Sequence, residues 1–575
     1  MSHDDGPADL VLTGGHVHTV DSARPRAEAL AVRGERIVAV GSVGEISGLI
    51  GPRTRVVDLA GRLLLPGFQD AHVHPISGGI DRSQCDVRES RGRDAVLATI
   101  RDYAEANPDV PWIIGSGWYM ADFPNGTPRR EDLDVVVPDR PAFLPNRDGH
   151  STWVNSRALE LAGVDRDTAD PADGRIERDP DGTPTGTLHE GAAELVERLM
   201  PAVGPDQMLA GLRMAQAYLH SLGITAWQDA IVRPEDHATY RRAAEEGWLT
   251  ARVEAAMWWD RGRGEEQVDE LVERSREGSV GRLRSNSVKL MQDGVLETFT
   301  GALLEPYLGD DGRPSANRGI SFIDPGALPG FVTRLDAAGL QPHFHAIGDR
   351  AVRESLDAVA AARAANGRTD TRPHIAHIQV IHPDDVPRFA TLGVVANAQP
   401  YWACHEAQMD RLTIPFLGPE RTTWQYPFQS LLRSGARLAM GSDWSVSTPN
   451  PLLEMEVAVT RVADESRGVR APFLPDERLS LDEAIAAFTL GSAWVNHLDG
   501  DTGSITTGKL ADLAVVDRDL FAPDAGPIGD GRVIATFVGG AAVFEDPALG
   551  SPANPAGLIA APARPGRRVP IRRMT

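Results

Sequence analysis

Cysteine is almost absent from this chain of 575 residues, which contains only Cys85 and Cys404. Two cysteines exclude a disulfide framework and favour a reducing compartment. Long apolar runs are missing as well, because no uninterrupted stretch approaches the roughly 20 residues that a bilayer crossing requires. The N-terminal residues carry neither the positive nor the apolar segment of a signal peptide. We therefore expect a soluble, cytoplasmic protein.

The charged residues form no long block of one sign. Lysine and arginine together number 58 and the acidic residues 81, which gives a formal net charge of −23. Such a chain is a poor partner for nucleic acid or for an anionic membrane, and we expect neither. Because the length exceeds the roughly 250 to 300 residues at which a single hydrophobic core stops growing, at least two domains are expected.

Short strands separated by turns occupy both ends of the chain. Residues 1–66 have this texture, and it returns in residues 499–546. We predict that the two ends pair into one β domain that brackets a larger one. The tail 547–575 is rich in proline, alanine and arginine, and we interpret it as a loosely packed arm that docks on a neighbouring subunit if the protein is a homo-oligomer.

Strands and helices alternate over residues 67–498, which is typical of a parallel sheet with crossover helices. The predicted strands are 70–74, 224–229, 251–257, 287–292, 341–346, 374–380, 394–399 and 437–443. Eight strands predict an α/β fold of the (β/α)8 barrel type, whose active site lies at the carboxyl ends of the strands. The interval 85–220 is too long for one strand-to-helix step, so we predict an inserted α/β subdomain that covers the barrel mouth.

A His-x-His pair follows an apolar run and a Pro-Gly turn. Side chains alternate between the two faces of a strand, so His72 and His74 point the same way, roughly 7 Å apart along the backbone. Both imidazoles can then reach one metal ion, and such a pair is half of a catalytic zinc shell. A second pair, His16 and His18, is followed by turn residues, and we interpret it as a surface pair on a half-exposed hairpin.

Later predicted strands add residues that could join this shell. Lys289 alternates with apolar neighbours and therefore faces into the barrel, although lysine is rarely buried unless paired. A neutral lysine there could react with carbon dioxide to give a carbamate, an anionic ligand able to bridge two metals. The alternative is a lysine ion-paired near Asp293 or Glu297. His343 and His345 share one face of the fifth strand, and either could bind metal.

Two further candidates lie where predicted strands end. His377 falls near the end of the sixth strand, and Asp443 closes the eighth after a Gly-Ser pair. An aspartate in that position often caps a helix, so its value comes from its place at the barrel mouth. The ordered set of His-x-His, Lys, His, His and Asp on successive strands is far more specific than any single member.

This ordered set resembles the amidohydrolase superfamily of metal-dependent hydrolases. The resemblance is closest to the amidohydrolase-3 branch, the YtcJ-like proteins, which include N-substituted formamide deformylase. The segments that carry it are 65–74, 148–155, 293–295, 345–352, 377–383 and 441–444. It extends over nearly the whole chain.

Membership of this superfamily implies a barrel with a composite β-sandwich built from both chain ends. It also implies a site for a divalent metal, with the residues His72, His74, Lys289, His345, His377 and Asp443. The nitrogen and oxygen ligands favour zinc. With two ions, Lys289 is the expected carboxylated bridge; a single-ion site stays open as the alternative.

The implied chemistry is hydrolysis of a C–N bond other than a peptide bond, in an amide, N-substituted formamide, carbamate or cyclic amide. The metal activates water and polarises the carbonyl, and Asp443 transfers the proton to the leaving nitrogen as general base and acid. The resemblance also implies that His150 is a substrate-side, catalytic residue that contacts the substrate or the oxyanion; a structural hydrogen bond is the alternative. The same ligands could serve a deaminase or a phosphoester or lactone hydrolase. Outside enzymes, a metal-containing regulatory or binding protein is the alternative.

Aromatic residues fall in loops that we expect near the barrel mouth. Contact with a hydrophobic part of the substrate is the functional interpretation, although aromatics serve packing more often. The candidate substrate-binding residues are Trp118, Trp153 and Trp444, and the other aromatic residues in these loops are Tyr119, Tyr401 and Trp402.

Overall fold

Eight parallel strands form the centre of the molecule, in a computed structural model that describes residues 6–549. They pair in chain order from the first to the eighth. The first to eighth barrel strands are Phe68–Val73, Ile224–Val232, Arg252–Trp258, Leu283–Met291, Gln341–Ala346, His374–His377, Val395–Ala398 and Arg437–Met440. Most of their residues are buried, as expected for a parallel sheet covered on both faces. The predicted (β/α)8 barrel is confirmed.

The barrel closes where the segment after the eighth strand meets the first strand. The Asp443 amide donates to the His72 carbonyl at 2.7 Å, and the His74 amide donates to the Trp444 carbonyl at 2.7 Å. Gly441 permits this approach, because a Cβ atom there would lie 2.4 Å from the His72 backbone nitrogen. The closure therefore depends on backbone atoms of the residues that were predicted to bind metal.

Two barrel strands are shorter than predicted. The sixth ends at His377 rather than at residue 380, and the eighth ends at Met440 rather than at residue 443. His377 and Asp443 have left-handed backbone angles, with φ of 74° and 55°. These angles break the strand and are unfavourable for residues other than glycine. Both side chains therefore lie at turns that begin where the strands end.

Helices surround the barrel, and many begin with proline in the first turn, where its missing N–H is not needed. The helices in this layer are Pro75–Asp81, Pro205–Ser221, Pro234–Glu245, Gln267–Gly278, Leu328–Ala337, Asp349–Asn366, Val386–Leu392, Ile414–Thr422, Phe428–Arg433, Pro451–Thr460, Leu481–Ala486 and Ser492–Val495. The apolar faces of most of these helices pack with the outward side chains of the strands in one continuous core. No helix within residues 6–549 combines the length and the apolar character that a bilayer crossing requires.

Strands from both ends of the chain share one sheet. In order across that sheet they are Ala541–Glu545, Val533–Val538, Leu513–Val516, Leu63–Pro66, His16–His18 and Arg26–Ala27. A second sheet contains Arg36–Gly41, Ala29–Arg33, Leu10–Thr13 and Arg55–Asp58, and the short helix Val43–Ser47 accompanies it. Apolar residues from the two sheets form a common core.

The inserted segment builds a third sheet. Its strands are Gly174–Arg178, Pro184–Glu190, Ser151–Val154, Ala142–Pro145, Ile113–Ser116 and Cys85–Asp86, and its helices are Arg93–Ala106, Arg130–Val136, Ser156–Ala162 and Glu194–Glu197. The predicted insertion 85–220 is too long, because the helix Pro205–Ser221 packs on the barrel. Leu212 and Leu219 of this helix are fully buried in the barrel core. The insertion therefore ends before that helix.

The structure also bears on two expectations for the chain ends, the surface pair of His16 and His18 and the arm 547–575. The predicted surface position is correct for His16, which is exposed, and wrong for His18. His18 is 4% exposed, and its ring stacks on that of Phe521 with centroids 5.0 Å apart. Of the predicted arm 547–575, the short helix Pro547–Leu549 buries Leu549 in the sandwich core. Residues 550–575 lie outside the described residues.

A buried ion pair joins the barrel to the sandwich. Arg252 opens the third barrel strand, and its guanidinium makes two contacts with the Asp512 carboxylate, at 2.7 and 3.0 Å. Their side chains are 11% and 2% exposed. Removing one partner of such a pair leaves an uncompensated buried charge, which costs about 3 kcal/mol or more.

We expect Arg252→Met to lower the melting temperature by several degrees in calorimetry. The matched control is Arg242→Met, because Arg242 pairs with Glu246 on the surface, where both side chains are at least 40% exposed. Surface pairs contribute little, so this control should melt close to the wild type. Equal melting of the two variants would contradict a stabilising role for the buried pair.

Candidate metal centre and active site

Three side chains from the first, sixth and eighth strand ends converge at the barrel mouth. One ligand atom each of His72, His377 and Asp443 lie within 4.8 Å of one another. His72 Nε2 is 3.3 Å from Asp443 Oδ1, and His377 Nδ1 is 4.0 Å from Asp443 Oδ2. All three residues are buried. The arrangement is compact enough for one small cation.

Two further predicted residues extend this cluster. His74 Nε2 is 3.0 Å from Asp443 Oδ1, so both histidines of the His-x-His pair face the same carboxylate. Lys289 reaches in from the fourth strand, and its Nζ atom is 3.3 Å from His72 Nε2. The period-two alternation of strands thus places these side chains inside the barrel.

His345 completes the cluster from the fifth strand. Its ring centroid is 4.4 Å from that of His377. The Asp293 carboxylate holds its other side, with Oδ1 3.2 Å from His345 Nδ1, and accepts the Ile347 and Gly348 amides at 3.0 and 2.8 Å. Asp293 therefore orients His345 instead of pairing with the lysine. The structure brings together all six residues of the predicted metal site, His72, His74, Lys289, His345, His377 and Asp443.

The charge states suit a divalent cation. Burial holds the pKa of His72, His345 and His377 well below the usual value, so the rings are neutral at physiological pH, as metal ligation requires. Neither ring nitrogen of His377 has a hydrogen-bond partner within residues 6–549, although both are buried. Burial raises the pKa of Asp443, but the His74 hydrogen bond and neighbouring charges outweigh it and keep the pKa below the usual value. Unpartnered neutral nitrogens beside an ionised carboxylate fit a cation.

Lys289 is one of only two lysines in the chain, the other being Lys509. It is 2% exposed. Burial lowers its pKa to about 7, so much of the amine is uncharged at neutral pH. Apart from Lys509, all other lysine or arginine positions are arginine, whereas position 289 has an amine. An uncharged amine can act as a nucleophile.

A second carboxylate fixes the barrel closure beneath the cluster. Asp70 Oδ1 accepts the His72 and Ser442 amides, both at 3.0 Å, and Oδ2 accepts the Ser442 hydroxyl at 2.5 Å. The contacts join the segments that carry two candidate ligands. In the sequence, Asp70 is recognisable only as part of a motif. Its positioning role depends on contacts with His72 and Ser442 that the motif does not specify.

His150 enters the same site from the insertion. Its Nδ1 atom lies 3.0 Å from each oxygen of Glu190, and the Thr300 hydroxyl donates to Glu190 at 2.7 Å. The His150 ring centroid is 5.6 Å from that of His345. Burial lowers the pKa of His150, but the Glu190 charge and hydrogen bond outweigh it and raise the pKa to about 9. An imidazolium donor therefore faces the cluster.

Glu190 was missed by the sequence analysis. The strands of the insertion pair Ser151 with His189, and the Glu190 amide donates to the His150 carbonyl at 3.0 Å. This register puts His150 beside Glu190, although 40 positions separate them. Only knowledge of the strand register could have indicated the contact.

The cluster opens into a cavity of about 1030 Å³ between the barrel and the insertion. The insertion contributes the lining residues Phe143, Pro145, Asp148, His150, Thr152 and Glu190. Trp258 and Trp402 supply aromatic walls, and the Trp402 ring stacks on His377 with centroids 5.6 Å apart and planes at 18°. Trp402 was expected near the mouth, whereas Trp258 was missed.

The prediction that three tryptophans bind substrate was wrong. Trp118 and Trp153 are fully buried and pack against each other in the core of the insertion, with centroids 6.4 Å apart. Trp444 is 3% exposed, contacts the Tyr218 ring, and packs against helix Pro75–Asp81 at Gly78, where a Cβ atom would lie 2.9 Å from the indole. All three side chains serve packing, because each belongs to an apolar core.

Comparison with known proteins gives one family. The amidohydrolase family model matches residues 55–544. Protein LONG AFTER FAR-RED 3 of Arabidopsis thaliana is 33% identical over 93% of this chain and 92% of its own length. N-substituted formamide deformylase of Arthrobacter pascens is 29% identical over 93% of this chain and 98% of its own. A metal-dependent hydrolase of Pyrococcus furiosus superimposes with a TM-score of 0.66 and 26% identity, covering 89% of this chain and 99% of that one.

A closed α/β barrel with histidines, a lysine and an aspartate at its mouth is the framework of a metal-dependent hydrolase. The family match spans most of the chain, and the barrel and the sandwich both fall within it. The chain belongs to the amidohydrolase family. The resemblance found in the sequence is confirmed.

Zinc should stabilise the folded protein through His377. A ligand that binds only the folded state stabilises it by about 2.7 kcal/mol when its free concentration is 100 times Kd. After dialysis against a chelator, added zinc should raise the melting temperature of the wild type, and His377→Gln should lose most of this rise. His382→Gln is the control, since that side chain is 27% exposed outside the cluster. An undiminished response in His377→Gln would argue against ligation there.

Proposed function

We propose that this chain hydrolyses a C–N bond other than a peptide bond in a small molecule, such as an amide, an N-substituted formamide, a carbamate or a cyclic amide. The observation that carries the proposal is the cluster of neutral imidazoles around the ionised Asp443 at the barrel mouth. The likeness to an N-substituted formamide deformylase over nearly the whole chain supports the choice of bond. The acidic chain and the cavity at the barrel mouth suit a small-molecule substrate.

His72, His74, His345, His377 and Asp443 would hold the metal, for which zinc is the best match to nitrogen and oxygen ligands. A bound zinc ion supplies a Lewis acid for the carbonyl and lowers the pKa of bound water to about 7. Lys289 would bind a second ion after its amine nitrogen adds to carbon dioxide and loses a proton. The low pKa of Lys289 supports this carboxylation.

Asp443 is placed to move the proton. Its Oδ1 atom contacts both His72 and His74, and its carboxylate lines the cavity. As an ionised group it accepts a proton from the attacking water and then gives it to the leaving nitrogen. Its left-handed backbone fixes the carboxylate at the turn, so little reorganisation is needed during the reaction.

His150 acts from the opposite wall of the cavity. Because Glu190 occupies Nδ1, the free ring nitrogen is Nε2, which stays available for substrate. A protonated Nε2 donates a hydrogen bond to the carbonyl oxygen, where negative charge develops. The insertion thereby contributes a catalytic group as well as the cavity wall.

The test is a panel of N-substituted formamides, N-acyl amines, carbamates and cyclic amides, with amino-purines and lactones as comparison substrates, all assayed with the zinc-loaded protein. We expect hydrolysis of at least one class, and Asp443→Asn should reduce kcat by about 10² to 10⁴ while zinc content stays near that of the wild type. Asp384→Asn, at an 85% exposed side chain, is the control. Turnover confined to amino-purines or lactones would favour the deaminase or lactonase alternative, and a zinc-loaded protein inactive on every class would favour a binding protein.

Glu190→Gln should lower kcat by about 10- to 100-fold, the equivalent of the roughly 1.5–3 kcal/mol of a hydrogen bond to a charged group. Zinc content should not change, because the effect passes through His150. Glu177→Gln is the matched control: Glu177 contacts His189 at 3.3 Å, and His189 contacts Ser151 at 2.8 Å. An equal loss in both variants would indicate damage to the insertion rather than to His150.

A further inference from the structure

Two fully buried histidines lie beneath the metal centre without a part in the chemistry described so far. His343 is on the fifth barrel strand, two residues before His345, and His374 opens the sixth. Both are 0% exposed, and their ring centroids are 3.9 Å apart. The sequence alone allowed His343 to be a metal ligand. Its contacts indicate a different role.

His343 contacts the ring nitrogen of His72 that faces away from the cluster. His343 Nε2 is 2.9 Å from His72 Nδ1. The other nitrogen, His72 Nε2, is 3.3 Å from Lys289 Nζ and 3.3 Å from Asp443 Oδ1. The His72 ring is therefore held between a buried imidazole on one side and the metal centre on the other.

The His343 ring is itself held in place. It packs on His374, and His374 Nδ1 is 3.2 Å from the Asn397 amide nitrogen, which also donates to the Ala71 carbonyl at 2.9 Å. Ala71 precedes His72 on the first strand. The support for His72 thus runs through three side chains and returns to the backbone next to His72.

The tautomers of His72 and His343 determine which nitrogen of His72 has its lone pair available for a metal. A neutral imidazole carries one N–H and one lone pair. If His72 Nδ1 donates its hydrogen to His343 Nε2, the lone pair stays on His72 Nε2, which points at the centre. Metal-binding histidines usually donate the hydrogen of their second ring nitrogen to a carboxylate, a backbone carbonyl or a water, and the acceptor fixes the ring and its tautomer. Here the acceptor is an imidazole nitrogen, His343 Nε2.

We propose that His343 is a positioning residue, which accepts the Nδ1 hydrogen of His72 so that His72 binds the metal through Nε2. His343 does not itself contact the ion. His343 Nδ1 and His374 Nε2 have no hydrogen-bond partner in the part of the chain that the structure describes, so each ring is oriented by its neighbour on one side alone.

The test measures zinc affinity of the metal-stripped full chain by competition with a chromophoric chelator. Loss of a partner to a ligating histidine costs about 10- to 100-fold in metal affinity. We expect a loss of that size for His343→Leu, and a smaller loss for His343→Gln, whose side-chain oxygen can still accept from His72. Cobalt substitution gives a second readout, since its visible spectrum should shift in His343→Leu because the ligand geometry relaxes.

His220→Leu is the matched control. His220 is also a buried barrel histidine, 3% exposed, and its nitrogens contact the Ile224 carbonyl at 2.9 Å and the Thr250 hydroxyl at 2.8 Å. We expect this variant to lose stability while its zinc affinity stays at the wild-type level. Equal zinc affinities of His343→Leu and the wild type would overturn the proposal.

A crystal structure of the zinc-loaded wild type decides the matter if His343→Leu fails to fold. His72 Nε2 on the ion with His343 on Nδ1 supports the proposal, whereas His72 Nδ1 or His343 on the ion overturns it. The inference rests on the metal centre of the proposed function but not on a substrate. A chain inactive on every amide would therefore refute the proposed function and leave this result standing.

Discussion

The contact between the first and eighth barrel strands is the constraint on which the site depends. Two backbone hydrogen bonds, each 2.7 Å long, join His72 to Asp443 and His74 to Trp444. They bring together segments that are about 370 positions apart, and Gly441 leaves the space for them. Because the same residues supply imidazoles and a carboxylate, closing the barrel and assembling the metal centre are one event. A bulkier residue at position 441 would disturb both.

Burial explains the chemistry of the centre. Desolvation disfavours the charged forms, so His72, His345 and His377 are neutral and much of the Lys289 amine is uncharged. Asp443 and His150 escape this rule because each has a close partner, His74 in one case and Glu190 in the other. Two groups of opposite charge, Asp443 and His150, therefore line the same cavity. At the same pH, one of these groups is therefore able to accept a proton and the other to donate one.

The sequence predicted the barrel, the pairing of the two chain ends and the presence of an insertion, but few of the side-chain contacts around the site. Strand periodicity and spacing located all eight strands. The placement of His72 and Lys289 followed from the alternation of side chains along a strand, and that of His377 from its position near a strand end. Glu190 could not be found, because its contact with His150 depends on the strand register of the insertion. The tryptophans failed for a related reason: a loop position does not reveal whether an aromatic ring faces a cavity or a separate core. Sequence motifs identify residues close to the reacting atoms, whereas packing partners depend on how the side chains fit together in the folded protein.

The shared sheet of the sandwich has a consequence for biosynthesis. The strand Leu63–Pro66 lies between His16–His18, made before it, and Leu513–Val516, which leaves the ribosome about 450 residues later. At about 5–20 residues per second, this apolar edge stays open for tens of seconds or longer. An open edge strand is a template for pairing with other chains. Nascent copies of this protein should therefore depend on chaperones more than their finished stability would suggest.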